Sequence, residues 1–377
     1  MRARIQLPLQ TADLIAGFMA WVILSSLLPA IKQDIAIPEN QLALLTAVPV
    51  VLGSVLRVPF GYLADLLGAR VMFTASFVLL LAPVWLISSA TTWQELLVGG
   101  VFLGLGGAVF SIGVTSLPAY YPQERHGFVN GVYGFGNVGT ALTTWLAPVA
   151  AAAFGWRAAA QLYLILLAAF AVLNFALGDR SEPRAKTPIM SQLRAIWRDS
   201  RLWKFSLFYF VTFGAFVALT VYLPNFLTSH YGLDGVTAGI ATSAFIVTAA
   251  VVRVLGGWLA DRFDCHRLLA GTFAAHIAGA VVLAAAPGLS LYLAGIYLIG
   301  AACGIGNGVV FKLVPSAFGK QAGLANGIVS MWGRIRLLRA GIRRLCLVRR
   351  CVSSYRRIDG QALGAARAAG QRPAVTS

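Results

Sequence analysis

Two arginines stand in apolar sequence where little else is charged: Arg57 in LRVPFGYLADLLGAR (Leu56–Arg70) and Arg253 in VRVLGGWLADRFDCHR (Val252–Arg267). Their places match, because Arg57, Gly61, Ala64 and Asp65 recur 196 residues on as Arg253, Gly257, Ala260 and Asp261. A guanidinium presents a planar fork of donors and keeps its charge, so a facing pair suits a small planar oxyanion better than lysines would. At membrane depth each charge costs ~2.5–3.5 kcal/mol on insertion scales, and that cost needs a reason. Either an external anion supplies the counter-charge, or both arginines are structural, satisfied by backbone carbonyls or reaching toward the surface. Their pairing at matched sites favours the anion. The acids fall at helix ends or in loops, with Asp13 and Glu95 at the starts of their apolar runs, so the spans themselves offer no negative charge.

The elements that position these arginines are membrane helices. Of 377 residues 58% are hydrophobic and 11% charged, which excludes a soluble fold of this length. The apolar runs are long and continuous where barrel strands would alternate, so an all-α polytopic membrane protein is expected. Spans are predicted near 12–31, 43–64, 71–90, 95–117, 131–154, 157–177, 203–228, 236–259, 267–286 and 289–311, about ten in all with an eleventh begun. Arg2 and Arg4 precede a run long enough to span, so no cleavable signal is read. Cys265, Cys303, Cys346 and Cys351 have neither metal nor disulfide spacing and read as free thiols.

Basic residues alternate from loop to loop. Arg2, Arg4, Arg70, Arg125, Arg262, Arg267, Lys320 and the segment 178–202 fall on one side, against little beyond Lys32 and Arg157 on the other. The positive-inside rule then makes the N-terminus cytoplasmic. The segment 178–202 follows the sixth span, which gives an N-terminal bundle over 1–177, a cytoplasmic basic linker over 178–202 and a C-terminal bundle over 203–333. Within the linker, SQLRAIWR reads as an amphipathic surface helix or as plain loop. The net charge of +17 is mostly tail, since residues 334–377 hold 11 arginines and one acid. Nucleic-acid binding is therefore not expected, and the remaining basicity fits loops facing anionic lipid.

The repeated G61-x-x-x-D65-x-x-G68-x-R70 and G257-x-x-x-D261-R262 resemble the cytoplasmic loop signature of the major facilitator superfamily. That resemblance implies a two-bundle, six-plus-six architecture in which Gly61, Asp65, Arg70, Gly257 and Asp261 gate and pack. The runs GLGGAVF (Gly104–Phe110), NGVYGFGN (Asn130–Asn137), GIGNGVVFKLVP (Gly304–Pro315) and SLFYFVTFG (Ser206–Gly214) are similar to signatures of its nitrate/nitrite porter family. The family implies secondary transport of nitrate and nitrite, with no cofactor, no metal and no enzyme chemistry. It also implies that Arg57 and Arg253 clamp the anion, that Phe110 and Phe311 sandwich it, and that Asn137 and Tyr209 donate hydrogen bonds. The alternative for the phenylalanines is packing, and His276 reads as core before proton relay. Another small anion, or a sensor that binds without transport, remains the rival reading. With no carboxylate inside the spans, nitrate/nitrite exchange is expected over proton symport; oligomeric state is open.

The pattern departs near its end. Gly127, Asn130 and Gly131 recur as Gly323, Asn326 and Gly327, and the echo stops at Gly333, the partner of Asn137. The Arg-rich stretch 334–377 cannot span, and reads as a frameshifted or truncated end or as a basic amphipathic tail. On that reading the C-terminal bundle is incomplete and transport is impaired.

Overall fold

A computed structural model describes residues 2–182, 188–285 and 288–331. The ends of the expected eleventh span, Gly333, the tail, Cys346, Cys351, Arg184 and Lys186 lie outside the described residues. What is described is all helix: α1 (Arg2–Trp21), α2 (Ile23–Asp34), α3 (Glu39–Val55), α4 (Arg57–Leu67), α5 (Ala69–Ser89), α6 (Trp93–Ala108), α7 (Phe110–Ser116), α8 (His126–Gly134), α9 (Val138–Phe154), α10 (Trp156–Leu177), α11 (Ile189–Trp197), α12 (Ser200–Tyr231), α13 (Gly235–Arg262), α14 (Cys265–Ala284), α15 (Leu289–Phe318) and α16 (Ala322–Met331).

Among the described residues eight helices, counting α1–α2 as one run from Ile5 and α6–α7 as another, are long and apolar enough to cross a membrane. Counting the bent pair α3–α4 makes nine. The span expected over 131–154 is interrupted, because a 3-10 turn at Phe135–Asn137 divides α8 from α9. Glycine supplies the tight corners: Gly68 (φ 85°) joins α4 to α5 and Gly155 (φ 81°) joins α9 to α10, conformations that cost other residues steric strain. Glu95 is spent on structure, since with Thr92 it forms a capping box at the start of α6. The outer surface carries Leu79, Trp85, Trp145, Ile165, Val172, Ile277 and Val281 exposed, as a lipid-facing belt requires.

Inside, helices approach through glycine. A Cβ on Gly104 would sit 2.6 Å from the Gly53 amide, and one on Gly308 would sit 2.5 Å from that of Gly257, so α3–α6 and α13–α15 can touch backbone to backbone only with glycine there. The same device joins the two halves. A Cβ on Gly131 (α8) would lie 2.9 Å from the Arg253 carbonyl, and one on Gly327 (α16) 2.6 Å from that of Arg57. Asn130 and Asn326 donate to the opposite half at matched places, to the Phe311 carbonyl (2.9 Å) and the Val114 carbonyl (3.1 Å). The sequence echo is thus a repeated packing surface.

In the segment between the halves, SQLRAIW is helical: it lies in α11, with Arg198 as its C-cap, and the helix buries Gln192 and Ile196 while Trp197 meets Trp203 edge-on at 4.9 Å. Glu182 accepts from the Ala69 amide at 2.7 Å and so closes the N-terminus of α5. Of the thiols, Cys265 is half-buried and Cys303 buried, both free.

Candidate anion site

Arg57 and Arg253 are the two largest fully buried side chains, 0% and 1% exposed. They converge on one ring: the guanidinium carbons lie 4.8 and 5.1 Å from the Phe110 centroid, within cation–π range. Their surroundings differ. Arg57 donates through Nε to the Gly107 carbonyl (3.2 Å) and through Nη1 to that of Ser330 (3.4 Å), leaving Nη2 without a partner. None of the three nitrogens of Arg253 has a partner, and neither arginine makes an ion pair among the described residues. The carbonyl-satisfied alternative therefore describes part of Arg57 and nothing of Arg253. Seven N–H bonds, five on Arg253 and two on Arg57 Nη2, are unmet with no acid paired to them among the described residues, and a buried cation in that state demands an acceptor.

Phe311 and Tyr209 gather at the same place. Phe311 lies 5.6 Å from the Arg253 guanidinium and meets Phe110 edge-on, centroids 5.0 Å apart at 74°. The two rings touch each other in this conformation. Tyr209 crosses Phe311 at 4.9 Å and stacks on Phe213 at 4.8 Å, while its hydroxyl faces both guanidiniums without reaching hydrogen-bond geometry with either. Asn137 is buried, and its Oδ1 is unpartnered. Two neighbours went unread in the sequence. Phe213 lies 5.6 Å from Arg57, and Tyr133 is fully buried against Phe110, donating to the Val109 carbonyl at 3.0 Å. Both stand inside the quoted motifs, and their helical spacing from Asn137 and Tyr209 was the available signal.

Breaks in the helices position the N-terminal half of the site. Arg57 opens α4 just after a 41° bend at Leu56, where Pro59 has no N–H for the Val55 carbonyl and its ring would crowd it. Phe110 opens α7 after the kink at Val109, and Asn137 closes the 3-10 turn that follows Gly134 and contains Gly136. Arg253 and Phe311, by contrast, lie within unbroken α13 and α15. Gly134 makes room for Arg253, whose guanidinium a Cβ there would strike.

About two to three turns away, the two aspartates of the repeat tie the starts of α8 and α16 to the helices that carry the arginines. Asp261 accepts from the Gly127 (2.9 Å) and Phe128 (2.7 Å) amides, capping α8, and from Lys312 Nζ at 2.6 Å. Asp65 lies against the Gly323 amide at the start of α16. Gly61 and Gly257 contact the backbone of Gly323 and Gly127. Arg70 pairs with neither aspartate: Nε and Nη2 both donate to the Phe175 carbonyl (3.0 and 2.6 Å).

One expectation is overturned. Asp13 does not open a span: α1 begins at Arg2, so Asp13 sits well inside the helix, 0% exposed, its Oδ1 accepting from Asn174 Nδ2 at 2.6 Å. A carboxylate therefore does lie within the apolar spans, and its presence removes the ground for expecting exchange over proton symport. His276 is bonded locally, Nδ1 to the Thr272 carbonyl (2.8 Å) and Nε2 to Cys303 Sγ (3.3 Å).

The model of the Major Facilitator Superfamily matches residues 14–335. The chain is 53% identical over 332 residues to the nitrite extrusion protein of Bacillus subtilis, covering 88% of this chain and 84% of that protein. It is 48% identical over 328 residues to the probable nitrate transporter NarT of Staphylococcus epidermidis, covering 87% and 85%. The chain belongs to the nitrate/nitrite porter family of the Major Facilitator Superfamily. Solved structures agree on the fold. The transporter FucP in its outward conformation aligns with a TM-score of 0.70 at 18% identity over 88% of this chain and 89% of its own. A human organic anion transporter aligns at 0.68 and 15% identity over 88% and 91%. As a member of this family the porter is a multi-pass transporter and not an enzyme. Its buried arginines, breaks and capped aspartates lie within the matched residues.

Proposed function

We propose that this porter is a secondary transporter of nitrate and nitrite, moving them by alternating access around a site between its halves. The observation that carries the reading is the pair Arg57 and Arg253, buried at matched places with unpaired N–H groups and no acid between them. Two guanidinium forks would clamp a planar oxyanion, which returns the charge that each arginine lost on leaving water. Phe110 and Phe311 would bracket the anion, and Tyr209 and Asn137 would donate to it. The names of the relatives, nitrite extrusion protein and probable nitrate transporter, support the substrate.

The layout that goes with this reading has an N-terminal bundle over 1–177, a cytoplasmic linker over 178–202 and a C-terminal bundle from 203, six helices facing six. The excess of basic loops puts the N-terminus and the Asp65/Asp261 end in the cytoplasm. Closure of that end by Asp261, Lys312 and the glycine contacts then describes a state sealed toward the cytoplasm. Uptake of labelled nitrate into vesicles holding purified protein tests the reading. Saturable entry above empty vesicles, suppressed by nitrite and not by a short carboxylate, is expected; binding without entry would make the protein a sensor.

A further inference from the structure

The first helix carries a buried polar file that the anion site does not use. Gln6, Gln10 and Asp13 are 2%, 1% and 0% exposed, and their spacing of four and three places them on one face. Each is held by a side or main chain of a neighbouring helix: Gln6 Nε2 donates to the Leu177 carbonyl (3.3 Å), Gln10 Nε2 to Ser116 Oγ (3.1 Å), and Asn174 Nδ2 to Asp13 Oδ1 (2.6 Å). Two acceptors on that face, Gln10 Oε1 and Asp13 Oδ2, have no donor among the described residues. A proton on Asp13 Oδ2 would remove the charge and turn one unmet acceptor into a donor. The file runs inward about 10 Å from Gln6 to Asp13 at 1.5 Å per residue. It starts at the end of the molecule where α10 finishes, the end that holds Asp65 and Asp261.

Charge makes the same demand. A carboxylate buried at this depth with one amide donor and no cation is costly, and ionisable groups in spans are commonly functional. The groups on the helices packed against α1 leave it alone. Lys32, Asp34, Glu95 and Arg157 stand at the opposite end. Arg70 is held on the Phe175 carbonyl, Asp179 is engaged by Tyr120, His126 sits on the Tyr121 carbonyl and Tyr163 on Thr143. Tyr133 links the two places through α7: its ring packs on Phe110 and its hydroxyl lies against Gly113, while Gln10 of the file donates to Ser116 of the same helix, and Asp13, Arg57 and Arg253 all contribute to the charge Tyr133 feels.

We infer that Asp13 is a proton-binding site coupled through Tyr133 to the anion site, so that a proton and the anion are taken up together. The inference rests on the transport reading for its second half. An anion between the arginines and a carboxylate behind Tyr133 repel each other, and protonation of Asp13 removes the repulsion. By linkage, whatever favours the proton favours the anion, and the reverse. Nitrate therefore binds more tightly as pH falls through the range where Asp13 takes its proton, by up to about tenfold per pH unit for one linked proton.

The test uses the full chain in vesicles. Asp13→Asn is expected to keep nitrate affinity and nitrate/nitrite exchange while losing both the pH dependence of binding and the stimulation of uptake by an inward proton gradient. Infrared difference spectra against pH should show a protonated-carboxyl band that Asp13→Asn removes. Asn174→Ala, which takes the donor from Oδ1 and keeps the acid, should move the pH midpoint of nitrate binding upward. Should Asp13→Asn not fold, that midpoint still decides. A midpoint unmoved by Asn174→Ala, pH dependence unchanged in Asp13→Asn, or no carboxyl band assigned to Asp13 would each overturn the inference. A wild-type chain that moves no nitrate sinks the transport reading, and the carboxyl band then decides the proton site by itself.

Discussion

At the scale of residues, the site is a problem of unmet donors. Arg253 offers three nitrogens without partners and Arg57 one, around a ring that both touch. The Tyr209 hydroxyl sits where it faces both. Tyr209→Phe keeps the ring stack and deletes that hydroxyl, so nitrate affinity should fall by about 1.5–3 kcal/mol, the usual worth of a hydrogen bond to a charged group. Titration calorimetry on purified protein measures it, and an unchanged affinity would remove Tyr209 from the site. The arginines were legible because a charge in apolar sequence stands out. Asp13 was misplaced because Arg2, Arg4, Gln6 and Gln10 made the first turns of α1 look like a polar leader. Its spacing from Gln10 and Gln6 was the clue that they share one helix face.

Among the elements, the glycine runs do two jobs, and only one was visible. Gly131 and Gly327, which the sequence shows as a recurring pair, are packing residues: each faces the carbonyl of the opposite half's arginine at 2.9 and 2.6 Å from where a Cβ would stand. Gly131→Ala and Gly327→Ala should therefore each cost about 1–3 kcal/mol of stability by overpacking. Each should also lower nitrate affinity, because the helix carrying the arginine must back away. Thermal unfolding with and without nitrate checks both effects, and alanine variants as stable as wild type would contradict the contact. The other job is breaking helices. The bend at Leu56, the kink at Val109 and the 3-10 turn at Phe135–Asn137 carry Arg57, Phe110 and Asn137, yet hydropathy runs smoothly across all three. Pro59, Gly134 and Gly136 mark two of them locally; Val109 has no proline beside it.

For the whole molecule, the 196-residue echo foretold the repeated contacts of α8 with α13 and of α16 with α4. On the proposed reading, closure at one end rests on few groups. Asp261 holds the start of α8 and Lys312 together, with side-chain exposures of 8% and 14%. Asp261→Ala removes an N-cap worth about 0.5–2 kcal/mol and an ion pair, and should bias the porter toward opening at that end. In a background with its native cysteines replaced, Ser330→Cys beside Arg57 should then be labelled faster by a reagent added on the Asp261 side. An unchanged labelling rate would mean that the seal lies elsewhere.

The central claim is that two guanidinium forks, and not merely two positive charges, hold a planar anion. Nitrate binding to purified wild-type protein, Arg57→Lys and Arg253→Lys tests it most directly, because lysine keeps the charge and loses the fork. Saturable binding in the wild type is predicted, weakened in each variant by roughly 2–5 kcal/mol, or ~30-fold at the least. Near-equal affinity in all three proteins would contradict the clamp.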